Sequence, residues 1–179
     1  MDPDLIPALI TPRTKGIIVM HYLGHAAYMM STVAIAEKHG LWIMEDCALA
    51  LGSTHSGRHV GLIGDAGCFS FYPAKHITTG EGGMLVSKSQ EFAEKARLLR
   101  SFGYGADSHV DPQVVGLNYR MTEMQAAMGV EQLAKFPVML ERRKANAAFL
   151  KMALEEFSPV GEHYAIAAFV PEGVDRNKV

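Results

Sequence analysis

"MMSTVAIAEKHGLWIMED" (residues 29–46) changes its hydrophobic spacing part-way along. Over 29–40 the apolar side chains recur at helical intervals, Lys38 and His39 fall in the last turn, and Gly40 follows. That pattern predicts a helix closed by a glycine cap. Over 41–45, "LWIME" is a short apolar run that starts at once after the glycine, and it reads as a buried strand. Upstream, "GIIVM" (16–20) is a second short run rich in β-branched residues. Strand, helix and strand in this order make a βαβ unit, which implies a right-handed crossover and parallel pairing. The expected fold class is therefore α/β with a mostly parallel sheet.

Downstream, residues 52–67 hold five glycines with little periodicity, so they predict a loop with a small hairpin around Ser56-Gly57. Two further strands are expected at 68–72 ("CFSFY") and 83–87 ("GMLVS"), and an amphipathic helix at 88–103. A polar loop should cross 104–118. Helices at 122–136 and 138–157 are expected to be separate, because Pro137 removes a backbone donor between them. "HYAIAAFV" (163–170) reads as a strand of different character. Met121, Met124 and Met128 share one helical face, as core or subunit-interface residues do.

The 179 residues match about one domain. With 49% apolar and 20% charged residues the composition is globular, and a formal charge of −2 without a basic block gives no sign of nucleic-acid binding. No uncharged apolar stretch is long enough to cross a bilayer, and the acidic opening "MDPDLIPALITPRTK" lacks the apolar region of a secretory signal. Cys47 and Cys68 lie in apolar surroundings without CxxC spacing, which predicts free thiols in a reducing compartment. The eight histidines include no HExxH pair, so a metal site is not the favoured reading.

Ligands of open parallel sheets sit outside the carboxyl ends of the strands. Asp46 stands at the end of one expected strand, where capping a helix is the alternative use of such an acid. The strand at 68–72 leads through Pro73 into Lys75, which taken alone reads as a solvated lysine. Lys75, Asp46 and Ser70 together, with "GEGG" (80–83) after the lysine, match what pyridoxal phosphate needs. The amine forms a Schiff base, the acid keeps the pyridine nitrogen protonated, and the hydroxyl helps hold the phosphate. Gly61, Gly64 and Gly67 do not have GxGxxG spacing and lead into a strand, and "TTGEGG" lacks the GK[ST] of a P-loop.

"DPDLIPALITPRTKGIIVMHYLGHAA" (2–27), "IAEKHGLWIMEDCALALG" (35–52), "GDAGCFSFYPAKHITTGEGGM" (64–84) and "VGLNYRMTEMQAAMG" (115–129) resemble, in order and spacing, the DegT/StrS family of sugar aminotransferases. These are fold-type I pyridoxal phosphate enzymes. "HYAIAAFVPEGVDR" (163–176) is similar to the family's entry into its small C-terminal domain. The resemblance implies that Lys75 is the Schiff-base lysine, Asp46 the partner of the pyridine nitrogen and Ser70 a phosphate ligand. It implies that Asn118 reaches toward a neighbouring subunit's cofactor phosphate, in a homodimer or with a complementing chain. Some relatives are dehydratases with histidine at the lysine position; Lys75 argues for amino transfer, and His76 beside it carries no weight. Leu49 departs from the family, which has histidine or glutamine there.

The implied reaction moves an amino group from an amino acid, glutamate, to a nucleotide-linked keto sugar, in the cytoplasm. Family members are about twice as long, as befits two domains. The chain is accordingly expected to be truncated at both ends, with part of the cofactor-binding large domain at 1–136. A linker helix and the start of the small domain are expected at 137–179. The alternatives are an inactive remnant that only binds partners, and a dehydratase relative.

Overall fold

A computed structural model describes residues 1–105, 110–170 and 172–173. In chain order the elements are α1 (Ile6–Leu9), β1 (Gly16–Met20), α2 (Met29–His39), β2 (Trp42–Asp46), β3 (Thr54–His55), β4 (Arg58–His59), β5 (Ala66–Ser70), β6 (Gly83–Ser87), α3 (Gln90–Arg100), α4 (Glu123–Ala153), β7 (Val160–Gly161) and β8 (Ile166–Ala167). The main sheet has the order β1-β2-β5-β6. β1 and β2 pair in parallel, as do β2 and β5, while β6 runs antiparallel to β5. The expected α/β class and mostly parallel sheet are thus observed, with one antiparallel edge.

The βαβ unit forms for the reasons visible in its sequence. Gly40 adopts φ 60° and ψ 37°, and its N–H reaches the Ala36 and Glu37 carbonyls, closing α2 so that β2 can start two residues later. In β2 the side chains alternate: Ile43 and Glu45 are buried, while Met44 and Asp46 belong to the opposite face. Val19 of β1 and Met29 and Ala36 of α2 join Ile43, Val60 and Ile63 in the core under the first face. The opposite face carries Ile18 and Met20, which remain 71% and 51% exposed. The hairpin appears as expected, with Ser56 and Gly57 both at positive φ between β3 and β4, as a two-residue turn of this kind requires.

Three local expectations change. β5 spans 66–70 and not 68–72, because Phe71 leaves the ladder: its carbonyl turns to accept the Thr79 N–H and the Thr78 hydroxyl. α4 is continuous through Pro137. An interior proline costs about 3 kcal/mol through its missing donor and ring clash. Phe136, Met139 and Leu140, on both sides of it, pack into one cluster with Phe71 and Ile77, which holds the two halves together. The segment 163–170 contributes only Ile166–Ala167, paired with Val160–Gly161. The boundary expected at 136/137 falls inside α4.

Met121 packs against the Phe71–Ile77–Phe136 cluster, whereas Met124 and Met128 point to solvent. Thr122 and Gln125 form a reciprocal capping box that starts α4.

Candidate active site

The site is built at the carboxyl ends of β2 and β5. Asp46 is the last residue of β2 and lies opposite Cys68 in the register, and Ser70 ends β5 two residues further on. Residues two apart on a strand share a face, so Asp46, Cys68 and Ser70 line the same side of the sheet. Asp46 Oδ1 accepts the Ala48 N–H at 3.0 Å, a turn that fixes the carboxylate at the strand end. Ser70 Oγ accepts the Tyr72 N–H at 3.3 Å, which starts the descent from the strand.

Lys75 lies on the turn that follows, with its N–H donating to the Tyr72 carbonyl at 2.9 Å. Its side chain is half-buried, and its Nζ stands 5.6 Å from the centre of the Tyr164 ring. The loop is closed on itself by Phe71, whose N–H donates to the Gly82 carbonyl at 2.9 Å and whose carbonyl takes Thr79 N at 3.0 Å. Thr79 Oγ1 donates to the Glu81 carbonyl, and Gln125 of α4 donates to the same oxygen. Gly82 sits at φ 151°, where a side chain is strained and would also meet Thr79 Oγ1 at 2.6 Å. The "TTGEGG" stretch is therefore the clasp of the lysine loop.

Asn118 belongs to a different segment, the stretch that leads into α4. It pairs with Ser101 in an isolated bridge and accepts the Arg120 Nε–H at 3.2 Å on an exposed surface. Among the described residues it makes no hydrogen bond to Lys75, Asp46 or Ser70. Leu49 is half-buried.

Sequence reasoning missed the acid beside Asp46. Glu45 is fully buried and accepts four hydrogen bonds: His21 Nε2 at 3.0 Å, Gly61 N at 2.7 Å, Ile63 N at 2.8 Å and Gly64 N at 2.7 Å. His21 Nδ1 accepts the Ala27 N–H, so the ring's proton sits on Nε2 and points at Glu45. Burial pushes the Glu45 carboxyl up, but the donation from His21 and the amides of Gly61, Gly64 and Ile63 outweighs it and holds the acid below its ordinary range. Cys47 approaches the same pair, and the three ligand atoms lie within 4.8 Å of one another. The donor set does not fit a metal: both nitrogens of His21 and both oxygens of Glu45 are already engaged, and burial raises the Cys47 thiol far above its usual range, keeping it protonated.

The glycines of "GLIGDAG" are explained by the same packing. A Cβ on Gly67 would sit 2.4 Å from the Gly61 Cα, and one on Gly64 would sit 2.7 Å from an Ile43 methyl. Two surface clefts of about 550 Å3 each lie at the opposite ends of the strands, one lined by Trp42, Lys88 and Phe92 and the other by Lys15 and Leu41. Neither includes Asp46, Ser70 or Lys75.

The family model of the DegT/DnrJ/EryC1/StrS aminotransferases matches residues 1–166. The chain belongs to this family. It is 42% identical over 154 residues to the GDP-perosamine synthase of Caulobacter vibrioides, covering 86% of this chain and 42% of that relative. With the UDP-N-acetyl-3-dehydro-alpha-D-glucosamine 3-aminotransferase of Acidithiobacillus ferrooxidans it shares 41% identity over 175 residues, covering 92% of this chain and 46% of that one. Among solved structures, Helicobacter pylori PseC, an aminotransferase involved in the biosynthesis of pseudoaminic acid, aligns with a TM-score of 0.79 at 35% identity. That alignment covers 86% of this chain and 42% of PseC. The chain thus spans less than half the length of these family members. Among the described residues no helix is long and apolar enough to cross a membrane.

Proposed function

We propose that this chain carries the cofactor-binding core of a pyridoxal-phosphate-dependent aminotransferase that moves an amino group from an amino acid, glutamate, to a keto sugar carried on a nucleotide. The observation that carries the reading is a carboxylate and a hydroxyl at adjacent carboxyl strand ends, followed by a half-buried lysine on a clasped loop, in a chain of this family. Nucleotide sugars in the names of the Caulobacter and Acidithiobacillus relatives support the acceptor class. On this reading residues 1–136 belong to the large domain and 137–179 to a linker helix and the start of the small one. Residues 171 and 174–179 lie outside the described set. The working form is a homodimer, or this chain with a complementing one, in the cytoplasm.

The residues present suit the cofactor. Pyridoxal phosphate, when bound, supplies an aldehyde for amines and a protonated ring that accepts electrons. Lys75 would hold it covalently through its amine, and that amine, when free, would hold or move a proton at its Nζ. Asp46 would accept a hydrogen bond from the ring nitrogen and keep its proton in place. Ser70 would donate its hydroxyl to the phosphate, and Asn118 would reach the phosphate of a neighbouring subunit.

Incubation with pyridoxal phosphate, borohydride reduction and peptide mapping test the assignment. The expected result is a single pyridoxyl group on Lys75, absent from Lys75→Ala. In Asp46→Asn the label persists while amino transfer falls at least about a hundredfold, as for loss of a proton-positioning group. Labelling spread over surface lysines, or normal turnover of Asp46→Asn, refutes the roles given. The exposed apolar sheet face around Ile18 and Met20 favours a second reading, a non-catalytic piece that binds partners. That reading predicts no Lys75 label.

A further inference from the structure

His76 follows the lysine directly, and its surroundings bind three distant segments together. The Ser53 hydroxyl donates to the Gly24 carbonyl at 2.5 Å, so the oxygen's other contact, with His163 Nε2 at 3.0 Å, is an acceptance. His163 then carries its proton on Nε2 and offers a lone pair at Nδ1. His76 Nε2 lies 2.8 Å from that Nδ1 and donates to it. The chain of bonds has one direction, from His76 through His163 and Ser53 to Gly24, and all three side chains are buried.

The next residue, Tyr164, completes the grip. Its hydroxyl donates to the Ala74 carbonyl at 3.3 Å, its ring packs on His76 with centroids 5.2 Å apart, and the Lys75 ammonium stands over it. Arg143 of α4 donates to the carbonyls of both His163 and Tyr164, at 3.4 and 3.5 Å. Phe136 closes the other side of His76 edge-on. Residues 74–76 are therefore held from outside their own loop, by a segment some ninety positions later in the chain.

We propose that His163 is a positioning residue for Lys75, acting through His76 and with Tyr164 to fix the turn that presents the amine. The clamp works only with His163 neutral, since a second proton on His163 removes the lone pair that His76 needs, whereas His76 keeps its Nε2–H donor in either state. Burial holds His76 down to about 4, helped by the neighbouring His163, Arg143 and Lys75 against the His163 backbone. Burial also lowers His163, joined by Lys144, Arg143 and His59 and opposed by Glu162. Because His163 is lowered from its ordinary 6.5, the clamp is intact above about 6.5 and is lost as pH falls through the lower folded value.

The inference rests on reading Lys75 as the cofactor-bearing lysine, and the experiment separates the two. In the full chain, nitrogen shifts of the imidazoles report the tautomers, hydrogen exchange reports residues 71–79, and pyridoxal phosphate with borohydride reports the Lys75 labelling rate. The expected tautomer is Nε2–H for both rings at pH 7. His163→Phe keeps a planar ring, somewhat larger, and loses the bonds. It should speed exchange of 71–79 and slow labelling by roughly tenfold each, and abolish the acid-dependent loss of protection. His163→Gln, which keeps one donor and one acceptor, should stay within about threefold of wild type. Ser53→Ala, which leaves the histidines in place, should show the same direction more weakly and serves if His163→Phe does not fold. A protonated or Nδ1–H His163, equal labelling of wild type and His163→Phe, or no rescue by His163→Gln overturns the proposal. No labelling of the wild type overturns the proposed function instead, and exchange and tautomers then decide the clamp alone.

Discussion

Replacing Glu45 with glutamine removes one charge at constant shape and tests what holds the loop of residues 60–64 under the sheet. Each carboxylate oxygen of Glu45 accepts two hydrogen bonds: Oε2 from His21 and Gly61, Oε1 from Ile63 and Gly64. A glutamine keeps one accepting oxygen and turns an NH2 toward two donors, which are then buried without partners. Each orphaned donor costs about 1–3 kcal/mol, so the expected loss is about 4 kcal/mol. For a chain of this size that lowers the melting temperature by roughly 8–16 °C. Trp42, the single tryptophan, lies three residues away on β2 and reports unfolding in urea by its fluorescence. The sign in acid follows from the depressed carboxyl: its contribution is complete above about 4.3 and is lost as pH falls through the lower folded value. Glu45→Gln should therefore lack most of the wild type's acid destabilisation in that window. A loss below about 1 kcal/mol, or an unchanged acid limb, would falsify the account of Glu45 as the anchor of the loop.

Gly67→Ala drives a methyl to within 2.4 Å of the Gly61 backbone, where no side chain can yield. It should cost about 1–3 kcal/mol in the same urea titration, and a neutral effect contradicts the packing described. The thiols should differ in reach. Cys47 is buried and pushed up by burial and by Glu45 and Asp46, whereas Cys68 is only half-buried. A thiol reagent should modify Cys68 in the native chain and Cys47 only on unfolding; early modification of Cys47 counts against the core described.

The βαβ unit was legible because each of its signals is local: helical spacing up to Gly40, then a short apolar strand. The hairpin was legible through Ser56-Gly57, and the places of Asp46 at the end of β2 and of Ser70 and Lys75 at and after the end of β5 through the apolar runs before them. The continuity of α4 was not, because Pro137 argues locally for a break while the contacts of Phe136 and Leu140 that override it lie far away in sequence. The end of β5 was hidden for a similar reason: Phe71 looks like a strand residue, and only the turn of its carbonyl toward Thr79 and Thr78 takes it out of the ladder. Glu45 was read as one more strand residue, since nothing in "LWIME" announces three amides and an imidazole arriving from other segments. His76 carries no local signal, because the partner that gives it meaning, His163, lies 87 positions on.

The order Glu45-Asp46 carries a constraint of its own. Two neighbouring acids on one strand face opposite worlds: the first is enclosed by protein donors, the second stands at the strand's carboxyl end on the other face. A pairing slip of one residue would exchange them, sending an aspartate too short to reach the loop amides inward and a glutamate to the opposite face. Exchanging the two letters by mutation should damage both sides of the sheet at once, for all that it preserves charge, composition and hydropathy.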